Sequence, residues 1–171
     1  MKNRPILLAL AAAAITAAGC SDKATTTAVP VSNIVTFKAT MTGPSEVPTN
    51  TTTGSGTFVA TLDTVTNVFT YDLTFTGLTS NVNNGHIHGP ASTTVAAGTT
   101  INFNTLPGAL FSFGLQAGTG HGVATLNAAT QITATMSGDS LKKLLFAGLT
   151  YANIHTINNP GGEIRGQITK Q

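Results

Sequence analysis

The chain has 171 residues, of which only 8% are charged, with 8 lysines and arginines against 6 aspartates and glutamates. Lys2 and Arg4 lie at the N-terminus, so the rest of the chain has 6 basic and 6 acidic residues and no basic surface for nucleic acid. Because Cys20 is the only cysteine, a disulfide within the chain and a thiolate metal site are both excluded.

The N-terminus has the order of a secretory signal peptide. Two basic residues precede an apolar run over residues 6–14, which is too short to span a bilayer. The motif AAGC resembles the lipobox of bacterial lipoproteins, although Ala17 stands where that motif more often has leucine. A simple secreted protein with a leftover cysteine is the alternative. We predict a signal peptide over residues 1–19 and a lipidated Cys20 that anchors the protein in a bacterial cell envelope, on the periplasmic or outer-membrane side.

The composition changes twice after the lipobox. Residues 20–33 are small and polar, with a proline and no apolar periodicity, which predicts a flexible tether. Residues 34–171 are rich in threonine, valine, phenylalanine and glycine, which is typical of a β domain. Apolar and polar residues alternate as in half-buried strands within residues 34–43, 56–63, 68–78, 122–128 and 131–138.

One segment, DSLKKLLFAGL, is predicted to be helical. Asp139 or Ser140 is the expected cap, and Leu141, Leu144 and Leu145 fall on one side of the helix. A single short helix among seven to nine strands predicts an all-β fold. We expect one antiparallel β-sandwich or a flattened Greek-key barrel.

Two apolar segments contain three of the four histidines. In NNGHIHGPAS, a strand would project His86 and His88 to the same face, about 6–7 Å apart, with Ile87 toward the core. Two imidazoles so placed can bind one metal ion. In YANIHTINNPGGEIRGQI, His155 lies on another predicted strand, and pairing of the two strands would complete a three-histidine cluster. The alternative is that these histidines only cap strands through hydrogen bonds to the backbone.

Three further residues are candidates for binding. His121, in GTGHGVATL, is either a fourth metal ligand or a solvated turn residue. Glu163 and Arg165 alternate along the last predicted strand, so they share a face, where they form a salt bridge or contact a ligand. The sequence lacks G-x-S-x-G and a phosphate-binding glycine loop before a helix. It therefore favours a non-enzymatic protein.

Three stretches resemble the CHRD domain, which is named from chordin and is common in bacterial secreted proteins. They are MTGPSEVPTNTTTGSGTFVATLD, GLTSNVNNGHIHGPAS and LTYANIHTINNPGGEIRGQI, and the likeness covers residues 34–169. The resemblance implies a CHRD domain over residues 34–171. In chordin these domains belong to an extracellular antagonist of growth factors, so the resemblance implies extracytoplasmic binding and no particular mechanism.

The histidine pattern is more weakly similar to that of copper/zinc superoxide dismutases. Those enzymes present H-x-H on one strand and another histidine near the C-terminus, followed by a glycine-rich loop and an arginine. The corresponding residues are His86, His88, His155 and Arg165. The loop that holds zinc and the paired cysteines are missing here, so this resemblance implies a mononuclear site.

Three functional hypotheses follow. The first is a lipid-anchored binding module that uses its histidine face to hold an extracellular protein, a small ligand, or a copper or zinc ion. The second is a copper enzyme or carrier in which Arg165 attracts a small anion. The third is a structural envelope protein whose histidines only form hydrogen bonds. Imidazole nitrogens within about 3–4 Å of each other would favour metal binding.

Overall fold

The computed structural model describes residues 32–106, 108–127, 131–133 and 136–171. The predicted signal peptide, the predicted lipidation site Cys20 and nearly all of the predicted tether lie outside the described residues.

The described residues fold mostly into strands, because apolar and polar side chains alternate along them. Nine strands form one antiparallel sheet in the order β5-β4-β10-β11-β1-β2-β3-β7-β6, and β8 pairs with β9 separately. The strands are β1 (Ile34–Thr42), β2 (Ser55–Asp63), β3 (Val68–Thr76), β4 (Val82–His88), β5 (Thr99–Asn102), β6 (Leu110–Phe111), β7 (Gly118–Thr125), β8 (Gln131–Thr133), β9 (Met136–Ser137), β10 (Thr150–Thr156) and β11 (Ile164–Lys170). A short 3-10 helix, Gly43–Ser45, follows β1.

The sheet curls until its two ends meet. The Val82 N–H, at the start of β4, donates to the Leu115 carbonyl at 2.9 Å, and the Gly114 N–H donates to the Val82 carbonyl at 2.9 Å. Phe103, just after β5, packs against Phe111 of β6 with ring centroids 5.7 Å apart. The sheet thus encloses its own core as a half-barrel, and the predicted all-β class is confirmed.

The inward-facing side chains form an aromatic and aliphatic core. Phe58 stacks on Tyr71 at 5.8 Å, and Tyr71 packs against Phe103 at 4.9 Å. The Tyr71 hydroxyl donates to the Phe103 carbonyl at 3.2 Å, so this buried polar group has a partner. Ile87 and Ile154 are 0% exposed, as predicted, and each contributes about 1.5–3 kcal/mol by its burial.

The predicted helix is present as α1 (Gly138–Phe146). Its N-cap is Ser137, whose Oγ accepts a hydrogen bond from the Ser140 N–H at 3.3 Å, so the cap lies before the two predicted residues. Leu141 and Leu145 are buried in the core, and Leu144 is half-buried. No helix in the described segments is both long enough and apolar enough to cross a membrane.

Candidate metal centre

Strands β4 and β10 lie side by side, as predicted, and this pairing brings three histidines together. In their register His86 lies opposite Asn153, and His155 lies opposite Asn84. Successive strand residues point to opposite faces, so Gly85, Ile87 and Ile154 face the core while the histidines share the other face. Gly85 is needed there, because a Cβ would lie 2.6 Å from the Phe111 ring.

The three imidazoles converge. His86 Nδ1 and His155 Nε2 are 3.0 Å apart, and one nitrogen from each of the three rings lies within 4.8 Å of the others. The ring of His88 lies 5.1 Å from that of His86 and 5.8 Å from that of His155, centroid to centroid. Tetrahedral ligand nitrogens at 2.0–2.1 Å from a metal are about 3.3 Å apart. The His86–His155 pair lies within the expected range of about 3–4 Å, and the set of three, at up to 4.8 Å, is wider but close enough to hold one metal ion.

Backbone carbonyls orient two of these rings. His88 Nδ1 lies 2.9 Å from the Ala97 carbonyl, and His155 Nδ1 lies 2.9 Å from the Pro160 carbonyl. A carbonyl oxygen can only accept, so Nδ1 bears the proton in each of these two neutral rings. Nε2 of His155 therefore accepts from His86 Nδ1 at 3.0 Å. His88 Nε2 is buried and has no hydrogen-bond partner among the described residues. Metal-binding histidines are commonly oriented in this way.

Burial keeps the histidines neutral. Each is only 8% exposed. Loss of solvation is the main cause that lowers the pKa of His86 to about 4, and the neighbouring His155 and His88 contribute to the same shift. Loss of solvation likewise lowers the pKa of His88 to about 4 and is the main cause that lowers the pKa of His155. Metal binding requires unprotonated imidazole, so all three rings are ready to bind at neutral pH.

Tyr151 lies between the histidines and Arg165. Its ring stacks on His88 with an angle of 6° and centroids 4.8 Å apart. From the strand on the other side, the Arg165 Cζ lies 3.6 Å from the centroid of the Tyr151 ring. The Tyr151 hydroxyl donates to the Ala97 carbonyl at 3.3 Å and accepts from the Ala97 N–H at 3.2 Å. Ala97, whose carbonyl orients His88, is therefore held by hydrogen bonds to both His88 and Tyr151.

The structure does not pair Glu163 with Arg165. Arg165 Nη2 donates to the carbonyls of Ser92 at 2.7 Å and Val95 at 3.0 Å. Glu163 lies just before β11, and its carboxylate accepts hydrogen bonds from residues of three loops instead. Its carboxylate accepts hydrogen bonds from the side chains of Thr52, Thr79, Thr156 and Asn159 and from the Thr79 N–H. Although burial raises the pKa of Glu163, these hydrogen bonds together lower it.

His121 is separate from the other three histidines. It lies on β7, in the other half of the sheet, and its side chain is 41% exposed. Its Nδ1 is 2.8 Å from the Asp72 carboxylate on the neighbouring strand β3. The structure therefore does not bring His121 to the cluster of His86, His88 and His155.

A buried carboxyl group that the sequence patterns did not single out lies near this face. Glu46 is 5% exposed, and its Oε1 accepts from the Asn153 side-chain amide at 2.5 Å. Burial raises the pKa of Glu46 to about 7, against the opposing charge of Arg165. The signal that could have revealed Glu46 is the scarcity of acids, since only 6 occur in the chain.

Comparison with known proteins identifies the family. The model of the CHRD domain matches residues 37–168, which extend from β1 to β11 and include the histidine cluster. No curated protein and no solved structure matches the chain. The family match spans well over half of the sequence, and on that ground the chain belongs to the CHRD domain family.

Proposed function

We propose that this protein is a lipid-anchored, extracytoplasmic CHRD-domain module that binds one divalent transition-metal ion through His86, His88 and His155. The observation that supports the proposal best is the buried Nε2 of His88, which has no partner among the described residues. One ring nitrogen of His88 lies within 4.8 Å of one from each of His86 and His155, which are hydrogen-bonded to each other at 3.0 Å. Leaving a buried polar atom unsatisfied costs about 1–3 kcal/mol, a cost that a metal bond would remove.

Copper(II) and zinc(II) are the metals that suit this site. Imidazole nitrogen binds both, and the intrinsic order of divalent affinities places copper above zinc. The two histidine motifs contain neither cysteine nor methionine, the soft ligands that favour Cu(I). We therefore expect Cu(II) to bind more tightly than Zn(II).

A copper enzyme or carrier is supported less well than a binding module. In that alternative, Arg165 attracts a small anion toward the metal. Tyr151, however, lies between the guanidinium group and His88, and two loop carbonyls occupy Arg165 Nη2. The guanidinium group is therefore on the far side of the Tyr151 ring from His88.

Calorimetric titration of the EDTA-treated protein with Cu(II) and Zn(II) tests the metal proposal. We expect the wild type to bind one equivalent at micromolar concentrations. His88→Ala should abolish tight binding, because only two histidine ligands remain. His121→Ala is the matched control and should bind as the wild type does, since His121 pairs with Asp72 on another part of the sheet. Lack of uptake by the folded wild type at micromolar metal would contradict the proposal.

The lipid anchor is the second part of the proposal and rests on the AAGC motif at Cys20. We expect the mature protein to begin at Cys20 and to fractionate with membranes, since two or more acyl chains give stable attachment. Cys20→Ala should move the protein to the soluble fraction, as read by immunoblot after membrane fractionation. Unchanged membrane association of that variant would argue against lipidation.

A further inference from the structure

A cavity of about 360 Å³ opens beside Arg165. Arg165 lies on β11, and the proposed metal ligands lie on the neighbouring strands β10 and β4. This volume lies at the lower end of the range for small-molecule pockets, about 300–1,000 Å³. Two loops and the strand β11 surround the cavity. Its polar lining includes Ser45, Glu46, Thr93, Thr94, Arg165 and Gln167.

Two opposite charges line this cavity without forming an ion pair. Glu46 is 5% exposed and Arg165 is 2% exposed. The salt bridges found within the described segments are His121 with Asp72 and Lys142 with Asp139, so neither cavity residue takes part in one. Buried charges in proteins are normally paired, because desolvating an unpaired charge is costly.

Both charged groups keep hydrogen-bonding capacity for a ligand. Within the described part of the chain, the acceptors of Arg165 are two loop carbonyls, and both bind Nη2. A guanidinium group has five N–H donors in a planar fork that matches a carboxylate. Glu46 accepts from Asn153 through Oε1, and its carboxylate also receives the Val47 N–H, so two of its roughly four acceptor positions are taken.

Gln167 adds an acceptor to the same lining. Its Nε2 donates to the carbonyls of Ala91 at 2.8 Å and Gly148 at 2.7 Å, which fixes the orientation of the amide. Its Oε1 is buried and has no partner among the residues described. The cavity lining therefore combines the Arg165 guanidinium group with the Glu46 carboxyl group and the Gln167 amide.

We propose that this cavity binds a small zwitterion of the α-amino acid class, with the ligand carboxylate on Arg165 and the ligand ammonium on Glu46. Such a ligand pairs both buried charges at once, which neither a simple anion nor a simple cation can do. Burial raises the pKa of Glu46 to about 7, and a ligand ammonium group in contact with the carboxylate would lower it. The site is distinct from the proposed metal centre, because Tyr151 separates Arg165 from His88.

Calorimetric titration of the whole chain in EDTA tests the proposal, with L-alanine, propionate and ethylammonium as probes. Propionate and ethylammonium each retain one of the two charges of alanine. We expect alanine to bind at least about tenfold more tightly than either, a difference of about 1.4 kcal/mol. EDTA removes the metal ions to which an amino acid could bind directly.

Two variants locate the ligand. Glu46→Gln keeps an acceptor for Asn153 but removes the negative charge, so the preference for alanine over propionate should disappear. Thr94→Trp should block the cavity from its exposed side and abolish binding while leaving the buried groups intact. Asp72→Asn removes an acid on another part of the sheet and should bind alanine as the wild type does.

Three results would overturn the proposal. They are no binding of alanine at millimolar concentrations, binding that requires added Cu(II) or Zn(II), and an unchanged preference for alanine in Glu46→Gln. If Glu46→Gln fails to fold by circular dichroism, Thr94→Trp decides, because undiminished binding in that folded variant places the ligand elsewhere.

Discussion

Gly162 determines how closely the loop before β11 approaches Glu46 and Asn153. Its φ of +131° is one that side-chain-bearing residues rarely adopt. A Cβ at this position would lie 2.6 Å from the Asn153 amide nitrogen and 2.7 Å from Glu46 Oε1. The adjacent Gly161 has open space around it, with nothing within 4 Å of such a Cβ.

We therefore expect Gly162→Ala to lower the free energy of unfolding by roughly 1–3 kcal/mol. Gly161→Ala is the matched control and should change it by no more than about 0.5 kcal/mol. Urea denaturation of both variants measures the difference. Equal stabilities of the two variants would show that the loop can move away from Glu46 at no cost.

The metal-ligand candidates could be predicted from the sequence because strand periodicity places residues two apart on one face. His86 and His88 follow this rule, and His155 joins them because both apolar strands bury their isoleucines in the same core. The role of Tyr151 could not be predicted, since it depends on the side chains of two neighbouring strands. Glu46 was missed for a similar reason, because its partners lie more than 100 positions along the chain.

At the scale of the elements, the alternating pattern predicted the long strands well. It says nothing of the loops that cover the histidine face, because these segments lack periodicity. They are held instead by single polar residues far away in the sequence, such as Glu163, which binds Thr52 across 111 positions, and Arg165, which binds Ser92 across 73. The salt bridge that the alternation of Glu163 and Arg165 predicted is therefore absent, and both side chains bind loop residues instead.

Helix α1 begins at Gly138, a residue that the alternating pattern assigned to a strand. Residues 131–138 alternate, so the sequence predicted a strand up to Gly138. The single predicted strand is wrong, because the structure has two short strands, Gln131–Thr133 and Met136–Ser137, that pair with each other. Ser137 serves as the N-cap, and Gly138 begins the helix. A Cβ on Gly138 would lie 2.5 Å from the Asn127 nitrogen, so tertiary packing, which the local pattern does not report, selects this residue.

At the scale of the whole molecule, buried ionisable groups determine how stability varies with pH. The pKa values of His86 and His88 are about 4 in the folded protein, and that of His155 is lowered too. The unfolded chain takes up these protons near pH 6.5, so it binds more protons than the folded state between about pH 6.5 and 4. The histidines therefore make the metal-free protein less stable as pH falls through this window.

Glu46 acts in the opposite direction. Its folded pKa of about 7 exceeds the unfolded value of 4.5, so its contribution to stability is lost as pH rises from about 4.5 to 7. The combined contribution of three histidines exceeds that of one carboxyl group. We therefore expect the free energy of unfolding to fall by roughly 2–4 kcal/mol between pH 7 and pH 5 in EDTA. Urea denaturation at several pH values measures this loss.

Glu46→Gln removes the ionisable group that opposes the histidines. The free energy of unfolding of this variant should therefore fall more steeply than that of the wild type as the pH is lowered from 7 to 5. A wild type that becomes more stable between pH 7 and 5 would contradict the assignment of neutral, buried histidines. Bound metal should shift the loss to lower pH, because protons then compete with the ion for the same nitrogens.

Strand β10 is buried at all seven of its positions. Strands covered on both sides usually consist of continuous apolar residues, yet Thr150–Thr156 alternates as a half-exposed strand does. The reason is that its second cover consists of polar loops rather than water. The alternation in β10 therefore separates an apolar core on one face from a buried polar layer on the other. A substitution on the polar face is restricted by packing as strictly as one on the apolar face.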